Sequence, residues 1–230
     1  METRQGERFF FVMGLILFGL VVAGFVPPAI SRPGGIASMP WLLHVHAAVF
    51  VSWFLLFCTQ AWLPGAGNIA LHMRLGKASV LLAIAMVVLG YFVMRGAYAN
   101  PAFSIAGMSS TASMMFPFTD MVNFSTVYLL ALAHRNNPTA HKRLMLLAGI
   151  LIIDPAVARL IFFTLEAPPP LIMMLELGLL ATMIVYHFTT LRRLSWATIV
   201  GLILFVLALV GKFAVAQTPA WQSFVVTVFG

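Results

Sequence analysis

A single cysteine, Cys58, occurs in the chain. It excludes an internal disulfide and leaves the compartment unassigned. Charge is scarce as well: 8% of residues are Asp, Glu, Lys or Arg, and only six are acidic. No polar run is long enough to make a soluble domain. The apolar stretches are continuous, without the two-residue alternation of a membrane-barrel strand. Gly-x-Ser-x-Gly, P-loop, Cys-x-x-Cys and His-Glu-x-x-His patterns are all missing, so the familiar signatures of hydrolase, nucleotide, thiol-redox and zinc-protease chemistry do not apply.

What is present is hydrocarbon. Of 230 residues, 62% are hydrophobic, and mean hydropathy is +1.02. That composition predicts an all-α polytopic membrane bundle, a single integral membrane domain over residues 1–230. Seven spans can be drawn, at 9–28, 41–63, 76–95, 118–134, 142–165, 170–189 and 196–216. Pro27-Pro28, Pro64-Gly65-Ala66-Gly67, Asn136-Asn137-Pro138 and Pro168-Pro169-Pro170 punctuate the connections. The apolar run 9–26 follows Arg4 and Arg8 in signal-peptide order. At roughly 18 residues it can span, and no small-x-small cleavage site follows, so it reads as a retained first helix. The connection 96–117, rich in Met, Ser and Phe, is expected to lie in the interface or fold back as a lid.

The formal net charge of +7 would suggest nucleic acid in a soluble protein. Flanking apolar spans, the same cations set topology and meet anionic lipid, so membrane lipid and other membrane subunits are the expected partners. With the N-terminus inside, the inner ends hold nine cations: Arg4, Arg8, Arg74, Lys77, Arg135, Lys142, Arg143, Arg192 and Arg193. The outer loops hold two, Arg32 and Arg95. An odd number of spans then puts the C-terminus outside. Trp41, Trp62, Trp196 and Trp221 fall near the expected interfaces, as an aromatic belt requires.

The stretch 140–163 carries the most information. His141, Lys142 and Arg143 open it, ten apolar residues follow, and Asp154, Pro155 and Arg159 then stand at membrane depth. Charge there is costly and is usually retained for function. At a rise of about 1.5 Å per residue, Asp154 lies roughly 18 Å and Arg159 roughly 26 Å from the inner face. His44, His46, Asn123, Glu176 and Lys212, counted along their own spans, land about 21–26 Å from that face. These groups are expected to converge on one polar pocket open to the outside, with Asp120 just above at its mouth. The alternative is a structural lock of paired charges, such as Lys212 with Glu176 or Arg159 with Asp154. Asp154 and Arg159, five apart, do not pair directly on a straight helix. Pro155 supplies a bend and leaves the Leu151 carbonyl without its usual partner. His44 and His46, two apart, point to opposite sides of a helix, so one faces the bundle.

A second polar level lies at the inner helix ends: His72, His134, His141 and His187, with Gln60 approaching from span two. Leu71-His72-Met73-Arg74-Leu75 and Ala140-His141-Lys142-Arg143-Leu144 open spans three and five in matched fashion, and Leu191-Arg192-Arg193-Leu194 opens span seven without the histidine. This suggests three related hairpins after a lone first helix. Two imidazoles from different helices can ligate a haem iron axially, or a transition metal with a third ligand. His72 and His141 are the expected metal ligands, with His134 nearby and Arg74 and Arg143 placed to hold propionates. A retinal protein, suggested by seven spans and Lys212 in the last, lacks a carboxylate counterion on span three.

His44-Val45-His46 with Trp53 and Gln60, then His72-x-Arg74-Leu75-Gly76, then His141-Lys142-Arg143-Leu144-Met145, resembles an uncharacterised family of bacterial multi-pass membrane proteins. That resemblance implies the bacterial inner membrane. More distantly, the His-x-Arg-Leu-Gly start is similar to the cytochrome b561-type proteins, which implies a b-type haem between helices. Those proteins match histidines at both levels, whereas here only the inner pair is matched. The leading expectation is therefore a membrane redox or haem/metal-binding protein using the inner histidines. The alternatives are a transporter, channel or ligand-binding protein using the outer pocket, or a structural subunit of a larger membrane complex.

Overall fold

The computed structural model describes residues 5–230, apart from the side chains of residues 5–7 and 191. Arg4, counted above among the inner cations, lies outside the described residues. Among these, every regular element is helical. Seven helices are long and apolar enough to cross a membrane. They are α1 (Gln5–Ser31), α2 (Trp41–Trp62), α3 (Ile69–Tyr98), α4 (Ser110–Ala133), α5 (Pro138–Thr164), α6 (Pro170–Leu191) and α7 (Trp196–Val215). A short α8 (Pro219–Phe229) follows.

Local chemistry sets the helix starts. Asn68, Ser109, Asn137, Ser195 and Thr218 each cap a first turn by accepting a backbone N–H with the side chain. Pro138, Pro170 and Pro219 sit at the opening position, where a missing N–H costs nothing. Two helices depart from regularity. α5 ends its first segment at Leu151, restarts at Asp154 and widens into a π-turn over Leu160–Thr164. α7 closes with a π-turn over Gly211–Val215. The break in α5 has a plain cause, since Pro155 cannot donate to Leu151.

α5 is the hub. In its apolar window 67% of residues are buried, against 22% to 39% for the other six spans. The remaining spans form a ring around it in the order α1, α2, α3, α4, α7, α6. α6 packs only lightly on α7 and returns to α1 through the stacked rings of Phe9 and Tyr186, 3.8 Å apart. The core consists of Leu144, Leu147, Ala148 and Val157 of α5 against Leu17, Trp53, Phe124 and Met183. Outward-facing positions such as Leu81, Leu129, Phe163 and Met174 leave large apolar side chains exposed, as a lipid-solvated surface requires.

Two differences from the sequence reading are local. α4 begins at Ser110 rather than 118, so much of the anticipated loop 96–117 is helix. Ser109 provides the cap that starts it. Residues 219–229 form α8, which packs on α3 and α4 through Trp221, Val225 and Phe229. Trp221 is accordingly 7% exposed and donates its indole N–H to the Thr111 carbonyl at 3.0 Å, whereas Trp41 and Trp62 face outward.

Candidate functional site

The irregular turns of α5 and α7 face each other, and each presents a charge. Asp154 restarts α5 after its break, and Lys212 stands in the π-turn of α7. Lys212 Nζ donates to Asp154 Oδ2, and to Asp120 Oδ1 of α4 at 3.1 Å. The same ammonium lies 5.3 Å from the ring centroid of Phe116, one turn before Asp120. Asn123, three residues after Asp120, shares its helix face and is buried. Glu176 of α6 sits beside Asp154.

Asp120, Asn123, Asp154, Glu176 and Lys212, from four helices, line one small cavity flanked by apolar side chains of α5 and α7. Its volume is about 20 Å³, which accommodates one water or a bare small ion and no organic substrate. The polar lining is deeply buried: Asp120 is 4%, Lys212 6% and Glu176 8% exposed. Formally, three carboxylates confront one ammonium. Lys212 satisfies one oxygen of Asp120 and one of Asp154, while buried Asp120 Oδ2 and Glu176 Oε1 accept no hydrogen bond. Buried carboxylate oxygens without a donor are costly, so the cluster is chemically incomplete without a further positive charge or donor.

Of the residues assigned to an outer pocket, Asn123, Asp154, Glu176 and Lys212 line this cavity. Asp120, placed at the mouth, is inside the cluster as a direct partner of Lys212. Its i, i+3 relation to Asn123 was the available sequence signal. The other three residues do not line it, although Arg159 stays within electrostatic reach of both Asp154 and His46. His44 is exposed on α2. His46 packs its ring on Phe50, with centroids 4.1 Å apart. Arg159 donates to the Pro155 carbonyl at 3.0 Å, and its guanidinium covers Phe25 of α1 at 4.8 Å. Arg159 therefore turns toward α1, and Lys212 is the cation that meets Asp154.

The basic end is arranged differently. His72 and Gln60 clasp α3 to α2: the Gln60 amide donates to the His72 carbonyl at 3.1 Å, and His72 Nδ1 meets the Gln60 carbonyl at 3.2 Å. Gly76 makes room for that amide, since a Cβ there would stand 3.3 Å from Gln60 Nε2. His141 Nδ1 meets the Ala131 carbonyl of α4 at 2.8 Å. Both rings thus spend Nδ1 on a backbone carbonyl of the neighbouring helix, and His72 lies within electrostatic reach of His141. His134 binds its own helix at Leu130 and faces Trp196. Arg74 is exposed, while Arg143 is fully buried and donates to the Thr139 carbonyl at 2.7 Å. His187 is buried against the Thr198 hydroxyl. Among the described residues, no group of three or more His, Cys, Asp or Glu is gathered for a metal ion.

The chain matches no family model, no curated protein and no solved structure.

Proposed function

We propose that this multi-pass membrane protein binds and moves a small cation, proton included, through the acid–lysine cluster around α5. The observation that carries this reading is the chemically incomplete site: three carboxylates, one ammonium and a one-water cavity drawn from four helices. An ionisable cluster within spans is expensive to keep, and such groups generally mark an ion or proton path. Two adjoining helices carry breaks or π-turns at this level, the kind of irregularity that recurs where helices serve a function. The cavity is too small for an organic substrate, which favours an ion over a larger solute. The nine-to-two distribution of cations supports an orientation with the N-terminus inside and the cluster in the outer half of a bacterial inner membrane.

Purified protein reconstituted into vesicles tests this directly, with an imposed membrane potential and dyes for protons, sodium and potassium. Movement of at least one of these is expected, and Asp154→Asn should reduce it at least tenfold. A wild-type chain that passes none of the three under potential or concentration gradients overturns the proposal.

One observation favours a second reading, haem or metal at the basic end. Nδ1 of both His72 and His141 is engaged by a backbone carbonyl, the arrangement that orients Nε2 toward a metal. The donor chemistry fits a haem that His72 and His141 would hold, with exposed Arg74 available to a propionate, and such a haem would supply one-electron transfer. An absorption spectrum and metal analysis of the purified protein decide it. A haem band lost in both His72→Ala and His141→Ala is expected on this reading, and colourless, metal-free protein rules it out.

A further inference from the structure

This inference rests on the cation reading of the cluster and concerns which cation it takes. We infer that it is a proton, loaded on Glu176 of α6 and exchanged through one water in the cavity, while Lys212 remains a fixed counterion.

Three observations carry it. The position between Asp120 and Asp154, where a metal ion would find two carboxylates, is filled by Lys212 Nζ. A metal cation brought into contact with that ammonium would meet like charge in a poorly screened interior. Next, the cavity of about 20 Å³ has room for a single water. A hard cation there would bring no waters of its own and would depend on the few wall oxygens, short of the six or so it gathers. Finally, the two acceptors without donors, Glu176 Oε1 and Asp120 Oδ2, belong to residues lining this one cavity. Both oxygens are closed off from water-sized contact, so a proton carried on the carboxyl group itself is the donor the geometry leaves room for.

Glu176 is the carboxylate left over. Lys212 reaches Asp120 and Asp154 but makes no hydrogen bond to Glu176. The charged groups facing Glu176 are Asp154 from α5, Asp120 from α4 and Lys212 from α7. The one base among them is already spent on Asp120 and Asp154. On loading, an O–H bond forms at Glu176 and the formal charge of the four groups changes from −2 to −1. On release that bond breaks and the proton passes to the cavity water. α6, which carries the loading residue, also packs only lightly on α7.

Infrared spectroscopy of the detergent-purified native chain tests this without relying on flux. A carbonyl stretch of a neutral carboxylic acid is expected near neutral pH, shifting in heavy water. It should persist in Asp120→Asn and Asp154→Asn and vanish in Glu176→Gln. Retention in the two Asp variants, and in a variant with Glu2, Glu7 and Glu166 all changed to Gln, assigns the band even if Glu176→Gln does not fold. Adding sodium should leave the band in place. A band that disappears on adding sodium, that is lost with Asp120 or Asp154, or that is absent altogether overturns the proton assignment. Sodium flux without the band would leave the broader cation reading standing. The band without any cation flux would remove that reading and keep the proton site.

Discussion

Replacing Lys212 with methionine should strip the three carboxylates of their only ammonium and destabilise the bundle by about 3–5 kcal/mol. The side chain is buried and bridges α4 and α5 from α7, whereas the Arg159 guanidinium is committed to the Pro155 carbonyl and the Phe25 ring. Methionine preserves length and apolar contact with Phe116, so the loss is electrostatic rather than steric. Thermal unfolding in detergent, followed by size-exclusion chromatography, reads the effect. Adding Asp120→Asn and Asp154→Asn to Lys212→Met should recover a large part of the lost stability, because apolar or neutral groups then replace an unpaired charge set. Near-native melting of the single variant would mean that the ammonium is not the charge holding these helices together.

Gly24→Val is expected to be the most damaging single change outside the cluster. α1 crosses α5 at Gly24 so closely that a Cβ would lie 2.1 Å from the Ala156 carbonyl oxygen. Backbone cannot yield there as a side chain could. Overpacking of this kind costs about 1–3 kcal/mol or more, and the contact lies two residues beyond Asp154. Both melting temperature and cation movement should therefore fall. Gly19 on the same helix provides the control, because a Cβ there meets nothing within 4 Å. Gly19→Val should melt close to the native chain, and equal losses at both positions would contradict the packing argument.

The architecture was largely legible because spanning a bilayer demands long apolar runs, and this chain marks their ends with Pro, Gly and Asn. The two errors in the elements share a cause. Segments 110–117 and 219–229 are helical through a Ser or Thr cap and contacts with each other, which neither hydropathy nor length records. The site was legible through depth: counting residues along separate helices placed Asn123, Asp154, Glu176 and Lys212 at one level, and those four line one cavity. Depth carries no azimuth, however. Arg159 shares that level but lies five residues past Asp154, and it turns to Phe25 and the Pro155 carbonyl instead. His46 likewise packs on Phe50. Asp120 was placed too shallow because α4 starts eight residues earlier than its hydropathy suggests. At the basic end, the matched settings of His72 and His141 correspond to matched Nδ1–carbonyl bonds to adjacent helices. No sequence pattern distinguishes a helix clasp from a metal ligand there.

A buried cluster that handles a cation differs measurably from one that merely locks four helices. The most direct measurement is cation movement and melting temperature side by side, in vesicles and in detergent, for the native chain, Asp154→Asn and Glu176→Gln. Both substitutions remove a charge while nearly preserving shape. At least a tenfold loss of cation movement is expected in each variant, with melting shifted by only a few degrees. Variants that move cations as well as the native chain, yet melt much earlier, would show that the cluster is a structural lock.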